Sequence, residues 1–305
     1  MAGTTAAPER TLAAAVAIAA FAVIIGYIDN YVRVIAAEVG LWQFHAMRTL
    51  VSVPMLLLAV PLMRLRLRPV SGRAVLARSL VHATGMMLYF AALAFLPVAQ
   101  VVAGLFSAPI FVLLISWLVY RQRIELVNVL AVALGFVGIL LVLGPAEGTR
   151  FGFAALLPVL GGAFYALGNI ATREWCPRES VATLTSAYML ALGVFGLIGM
   201  GVLSVLRPEA AAGTAGFVLR GAVWPSAGVL FWVAVQALGS LVGVGLLVRG
   251  YQLTRASLAS VFEYSVLPMA ALWGWLIWGE VPGVAALAGM GLIFAAGLLI
   301  ASRSR

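Results

Sequence analysis

The sequence predicts an all-α integral membrane protein of ten transmembrane helices, arranged as two inverted five-helix repeats around a central cavity. Three observations predict it. The 305 residues are 64% hydrophobic and only 10% charged, where a soluble domain carries about 25% charged residues; mean hydropathy is +1.12. Apolar stretches near the roughly 20 residues that a bilayer demands recur along the chain, joined by loops too short to form a soluble domain. Finally, Pro109 is separated from Pro268 by the same number of residues as Gly138 from Gly297, and Gly138-Ile-Leu-Leu resembles Gly297-Leu-Leu-Ile. An odd number of spans per half inserts the second half upside down.

Cutting at charges and at Pro/Gly clusters gives the spans in order: Leu12–Val32, Leu41–Met63, Val75–Phe95, Val98–Tyr120, Leu126–Leu143, Phe151–Thr172, Val181–Leu206, Ala222–Val248, Ser257–Trp278 and Val281–Ala301. The first is followed by Asp29, Asn30 and Tyr31 rather than by a small-residue cleavage site, so it reads as a span and not a signal peptide. The organisation expected is a tail over 1–11, a first repeat over 12–144, a connection over 145–150, a second repeat over 151–301 and a tail over 302–305. All 19 basic residues are arginines. With the first residues in the cytoplasm, fourteen of the 19 fall on that side, among them Arg64, Arg66, Arg68, Arg73, Arg121, Arg123, Arg173 and Arg178, against Arg33, Arg150, Arg207 and Arg220 on the other. Arginine bias of this kind sets topology and places both termini in the cytoplasm. It also accounts for the net charge of +9 without a nucleic-acid partner.

Several functions are excluded or disfavoured by absence. There is no Gly-Lys-Ser/Thr phosphate loop, so ATP is not the direct energy source. Two histidines and one cysteine offer no metal-ligand set and no intrachain disulfide, and no convincing nucleophile–base order is found. The chain reads as no enzyme, with no cofactor.

The ninth span is the most informative stretch. It is apolar enough to cross a bilayer yet carries Glu263 and Pro268. An ionisable side chain there costs roughly 2.5–3.5 kcal/mol or more, and a proline frees a backbone carbonyl that needs another partner. Such a helix faces water rather than lipid. Glu263 either binds a substrate amine, pairs with a cation or takes up a proton, or else it snorkels or pairs with Arg249 or Arg255. His82, at similar depth in the third span, has an ordinary titration range suited to a proton relay; the alternative is a merely hydrogen-bonded histidine. Asp29 and Arg48 share a depth near the other face and read as a structural ion pair in preference to a substrate contact, with His45 one turn from Arg48. Asn30 and Asn169 occupy similar places in the first and sixth spans.

The Ala256-Ser257…Pro268…Gly279-Glu280 pattern, the intramembrane Arg48 and the five-plus-five layout together resemble the EamA-type members of the drug/metabolite transporter superfamily, and within it the YddG-type exporters of aromatic amino acids. Arg121 departs from the pattern, standing where the first half should carry an acidic counterpart of Glu280. The resemblance implies a secondary transporter in a bacterial inner membrane that exports small metabolites, aromatic or neutral amino acids first, by alternating access. Drugs, nucleotide sugars or polyamines on the same scaffold, and a non-transporting membrane protein, are the alternatives. It also implies a cavity lined by spans three, four, eight and nine, with substrate held by Tyr89, Phe106, Ser107, Trp232, Gln236, Ser240, Phe262 and Tyr264. Glu263 and His82 would couple charge or protons, and Pro109 and Pro268 would act as hinges. Gln100 is a further polar candidate at the rim. The partners implied are a small-molecule substrate and the lipid bilayer; a monomer is admissible.

Overall fold

The computed structural model describes residues 10–92, 101, 104–143 and 156–303, and among these it is helical with no strand. Twelve α-helices follow in order: α1 (Thr11–Asp29), α2 (Val32–Glu38), α3 (Leu41–Met63), α4 (Gly72–Ala92), α5 (Ala108–Leu118), α6 (Leu126–Leu143), α7 (Leu156–Glu174), α8 (Val181–Leu206), α9 (Ala227–Leu253), α10 (Ala256–Glu263), α11 (Val266–Trp278) and α12 (Val284–Arg303), with a 3-10 turn at Gly213–Gly216. Among the described residues six stretches are long and apolar enough to cross a membrane, namely Thr11–Glu38, Leu41–Met63, Gly72–Ala92, Val181–Leu206, Ala227–Leu253 and Ala256–Trp278; Ala108–Leu118, Leu126–Leu141 and Val284–Leu299 are shorter apolar helices. The expected connection over 145–150, most of the tail over 1–11, the start of the sixth span and Gln100 lie outside the described residues.

Three expected spans depart most from their bounds. The first runs on to Glu38 but is broken at Asn30–Tyr31 into α1 and α2. The eighth begins at Ala227 rather than Ala222, because the Ser226 hydroxyl accepts from Val229 N and caps the helix there. The ninth is broken at Tyr264–Ser265 into α10 and α11. That break has a direct cause: Pro268 has no N–H to give the carbonyl four residues back, which is that of Tyr264, and Leu267 N donates to it instead at 3.2 Å.

The helices pair as α1 with α9, α4 with α7, α3 with α8 and α6 with α12, while α11 packs on α1 and α5 on α7. Small residues permit the approach: a Cβ at Gly239 or Gly243 would come 2.7 or 3.1 Å from Ile28 or Ile25 of α1. Gly138 approaches α12 as closely, whereas its expected repeat counterpart Gly297 has open space around it. Buried side chains form three clusters. One lies between α3, α4 and α8 around Phe44, Leu184 and Leu192. Another lies between α6, α10 and α12 around Ile139, Val261 and Ile293. The third joins α1, α7 and α9 around Ile18, Ile170 and Leu247. Outward-facing Leu62, Val205 and Val284 are among the most exposed residues, as lipid contact demands.

Short contacts define two ends. At one, Arg10 N donates to Leu253 O, Glu179 accepts from Val70 N and Ser71 N at the start of α4, and Ser180 and Thr183 donate to Arg66 O; this end gathers most of the arginines. At the other, Leu41 N donates to Phe217 O and Ser226 donates to Glu38.

Candidate functional site

A cavity of about 510 Å³ lies between the helices and reaches from the arginine-poor end, at Arg33, Thr214 and Ala215, down to Glu263. Its size falls within the range of small-molecule sites. Of the residues expected from sequence, Tyr89, Phe106, Ser240, Glu263, His82, Asp29, Arg48 and Pro109 line it, and Phe21, Phe90, Tyr165, Tyr188 and Phe217 add aromatic wall.

Glu263 closes α10 just before the Tyr264–Ser265 break and is 5% exposed. It accepts from Tyr165 Oη at 2.6 Å and Asn169 Nδ2 at 3.3 Å, one turn apart on α7, and from Tyr251 Oη on α9. All three donors are neutral, and among the described residues no cation lies within ion-pairing distance. Arg249 points outward, and Arg255 pairs with Glu125 at 3.8 Å. An ionised carboxylate here has its oxygens satisfied but its charge unmatched. The network ties α7, α9 and α10 together at the floor of the cavity.

His82, from α4, is buried between the rings of Tyr165 and Tyr188, at centroid distances of 4.7 and 4.9 Å, and its Nδ1 has no hydrogen-bond partner. Tyr165 thus touches both groups expected to couple charge. One turn earlier Arg78, one of the fourteen arginines expected on the cytoplasmic side, is fully buried; its Nε donates to Thr172 Oγ1 at 2.9 Å and its Nη1 to Leu184 O at 3.4 Å.

Asp29 ends α1 where the first span breaks. Carbonyls of α1 near the break are covered by side chains: Asn30 Nδ2 donates to Gly26 O at 2.7 Å and Gln236 Nε2 to Ile28 O at 2.7 Å, while Asn30 Nδ2 also reaches Ala270 O of α11 at 3.1 Å. Gln236 also reaches Asp29 Oδ1 at 3.4 Å. Arg48 projects from α3, 7% exposed, with its guanidinium 5.2 Å from the Phe44 ring and the Tyr188 hydroxyl beside it. Its Nε has no hydrogen-bond partner. The direct Asp29–Arg48 ion pair expected from depth is absent among the described residues; the two feel each other's charge across the cavity. His45 does not join them. It is packed between Phe44 and Phe90, each ring at 5.0 Å.

Six expected site residues do not line the cavity. Tyr264 is fully buried against α6, where a Cβ on Gly135 would lie 2.3 Å from its ring; consecutive residues of a helix point about 100° apart, which takes it off the face that carries Glu263. Phe262 packs beside the apolar clusters of α6 and α7. Trp232 stacks on Tyr31 at 3.4 Å. Gln236 stands behind Asp29 and Ser240, whose hydroxyl reaches Gln236 Oε1 at 3.5 Å. Ser107 Oγ donates to Gly104 O at 2.5 Å and covers the break before α5. Pro268 lies within α11, beyond the break it causes.

Sequence reasoning missed Tyr165, Tyr188 and Tyr251. Tyr165 and Asn169 stand four residues apart and so share a helix face, a signal that would have found them. Tyr251 lies past the expected end of its span. At the mouth, Arg33 pairs with Glu280 at 2.8 Å and lies 4.0 Å over the Trp278 ring, joining α2 to the turn after α11. The left-handed Gly279, with φ of 71°, ends α11 and positions that carboxylate.

Comparison with known proteins adds the following. Residues 12–144 match the EamA-like transporter family. A riboflavin transporter of Vibrio cholerae is 26% identical over 68% of this chain, and the match spans 64% of that relative's length. A riboflavin transporter of Rhizobium johnstonii is 28% identical over 74% of this chain and 68% of its own. The pseudopaline exporter CntI of Pseudomonas aeruginosa is 26% identical over 75% of each. A solved crystal structure of a protein shares the fold over 97% of this chain and 99% of its own, with a TM-score of 0.76 at 15% identity. None of these relatives is named as an aromatic amino acid exporter, so the finer resemblance to the YddG type rests on the sequence alone.

Proposed function

We propose, for a chain whose first half matches the EamA-like transporter family, that the protein is a secondary transporter of small metabolites carrying an aromatic ring, aromatic amino acids first among them. The observation that carries this reading is the cavity itself: Asp29, Arg48 and Glu263, none in a direct ion pair among the described residues, lie on stretches long and apolar enough to cross a membrane and are set among Tyr89, Phe90, Phe106, Tyr165 and Tyr188. Ionisable groups at such depth mark pathways for substrates and ions. Aromatic walls hold a planar ring by contacts worth about 0.5–1.5 kcal/mol beyond burial.

Alternating access is supported by the way the spans pair. The third pairs with the sixth and the eighth with the first; the second pairs with the seventh and the fifth with the tenth. Exchanging the two halves leaves this pattern unchanged, as an inverted repeat requires, and a substrate site at the repeat interface follows from such symmetry. Glu263 and His82, both touching Tyr165, are the groups through which a proton would couple to transport.

A second substrate reading is riboflavin, a name that two of the relatives carry; the same aromatic walls would accept its planar ring. Vesicles holding the purified protein and loaded with labelled tryptophan, phenylalanine, leucine or riboflavin, with and without a pH gradient, test both. Efflux of an aromatic compound above that of leucine is expected, faster with an inward proton gradient. Equal leakage of all four from protein-containing and empty vesicles would sink the reading.

A further inference from the structure

We propose that Arg48 and Asp29 form the head-group site for an α-amino acid, Arg48 receiving the carboxylate and Asp29 the ammonium. The inference rests on the transport reading above and assigns the polar ends of its substrate.

A guanidinium that is 7% exposed normally has its donors filled, because a buried charge is tolerated only when paired and hydrogen-bonded. Arg48 Nε has no partner, and no carboxylate of the described residues lies within ion-pairing distance. Its neighbours are the Phe44 ring and the Tyr188 hydroxyl. Arg48 lines the cavity with a planar fork held by no carboxylate of the described residues, and such a fork matches a carboxylate in geometry as well as charge. Asp29 faces the same cavity with one long hydrogen bond, from Gln236 Nε2 at 3.4 Å. That leaves acceptor capacity for an ammonium.

The two charges compensate each other at a distance, so Arg48 and Asp29 are neutral as a pair. A zwitterion with both charges on one carbon replaces that long-range compensation by two direct contacts. An ion bearing only one charge improves one contact and leaves the other group worse off. The site therefore selects for the pair of charges and not for either alone. Arg33 also borders the cavity, but Glu280 at 2.8 Å already holds it. Glu263 lies at the far end of the cavity with three donors of its own, and is left free for the proton. The aromatic wall between them, Tyr89 and Phe106 included, takes the side chain.

The test is equilibrium binding of labelled L-tryptophan to the purified full-length chain, with unlabelled tryptamine, which lacks the carboxylate, and indole-3-propionate, which lacks the ammonium, as competitors. The wild type is expected to bind tryptophan at least tenfold more tightly than either. Arg48→Gln should abolish the preference over tryptamine and keep the preference over indole-3-propionate; Asp29→Asn should do the reverse. Arg48→Lys, which keeps the charge without the fork, should fall between. Tryptamine or indole-3-propionate binding the wild type as tightly as tryptophan would overturn the proposal, and that outcome needs no variant to fold. So would two variants of native helix content that retain both preferences. If vesicles move an aromatic compound but the head-group preferences are absent, this assignment fails alone. If the preferences are present but nothing is moved, the transport reading fails alone.

Discussion

Glu263 concentrates the chemistry of this protein in one side chain. Its oxygens accept from Tyr165, Tyr251 and Asn169, so each tyrosine contributes a hydrogen bond to a charge-bearing group, typically about 1.5–3 kcal/mol. Tyr165→Phe and Tyr251→Phe should each lower the thermal midpoint of the purified protein, measured by loss of helix signal on heating; an unchanged midpoint in both would mean the network is not formed. Glu263→Gln keeps the shape but cannot ionise, and its amide turns a donor toward a tyrosine hydroxyl. Efflux driven by a pH gradient should fall at least tenfold in that variant, while exchange of substrate between equal pools falls much less. The sequence displayed Glu263, Asp29 and Arg48 plainly, because a charge within an apolar run stands out whatever its direction. It did not display which aromatic residues face inward. Tyr264 sits next to Glu263 in sequence and at the same depth, yet it packs on Gly135, while Tyr165, on another span, bonds the carboxylate. Depth follows from counting along a span; the direction a side chain points depends on the turn of the helix and on breaks in it, and the chain breaks at Tyr264.

The broken helices were legible in part for the same physical reason. Pro109 and Pro268 mark two breaks, but each break lies before its proline, at Phe106–Ser107 and Tyr264–Ser265, since the lost bond is the one to the carbonyl four residues earlier. The third break, at Asn30–Tyr31, has no proline and is held by the side chains of Asn30 and Gln236 on carbonyls of α1; nothing in the local sequence announces a partner 208 positions away. Pro268→Ala restores an N–H aimed at Tyr264 O and favours one continuous helix from α10 through α11. Straightening would move Glu263 relative to Tyr165 and Tyr251. Transport should therefore drop severalfold while the amount of protein in the membrane is unchanged, read as efflux from vesicles matched for protein content. Normal efflux with the substitution would show that the break does not serve the transport cycle.

At the scale of the whole molecule, the all-helical apolar character and the uneven spread of arginines were readable because both follow from the bilayer, which acts on every span alike. The structure gathers Arg64, Arg66, Arg68, Arg73 and Arg178 at the end where Arg10 N meets Leu253 O, and leaves Arg33, Arg207 and Arg220 at the other. If positive charge is retained on the cytoplasmic side, the expected orientation has the cavity mouth at Arg33 facing outward and the Glu263 floor toward the cytoplasm. The one native cysteine makes this testable without removing it. Cys176 is 1% exposed and burial pushes its thiol up to about 11. Since the reactive form is the thiolate, it should stay unlabelled near pH 7.5 and gain reactivity only as the pH approaches that value. Against this silent background, Arg68→Cys and Ala212→Cys place exposed thiols at opposite ends. A membrane-impermeant maleimide applied to intact bacterial cells should label Ala212→Cys and spare Arg68→Cys until the membrane is opened. The reverse pattern would invert the molecule, turning an outward-facing mouth into a cytoplasmic one and placing the Glu263 network on the exterior side.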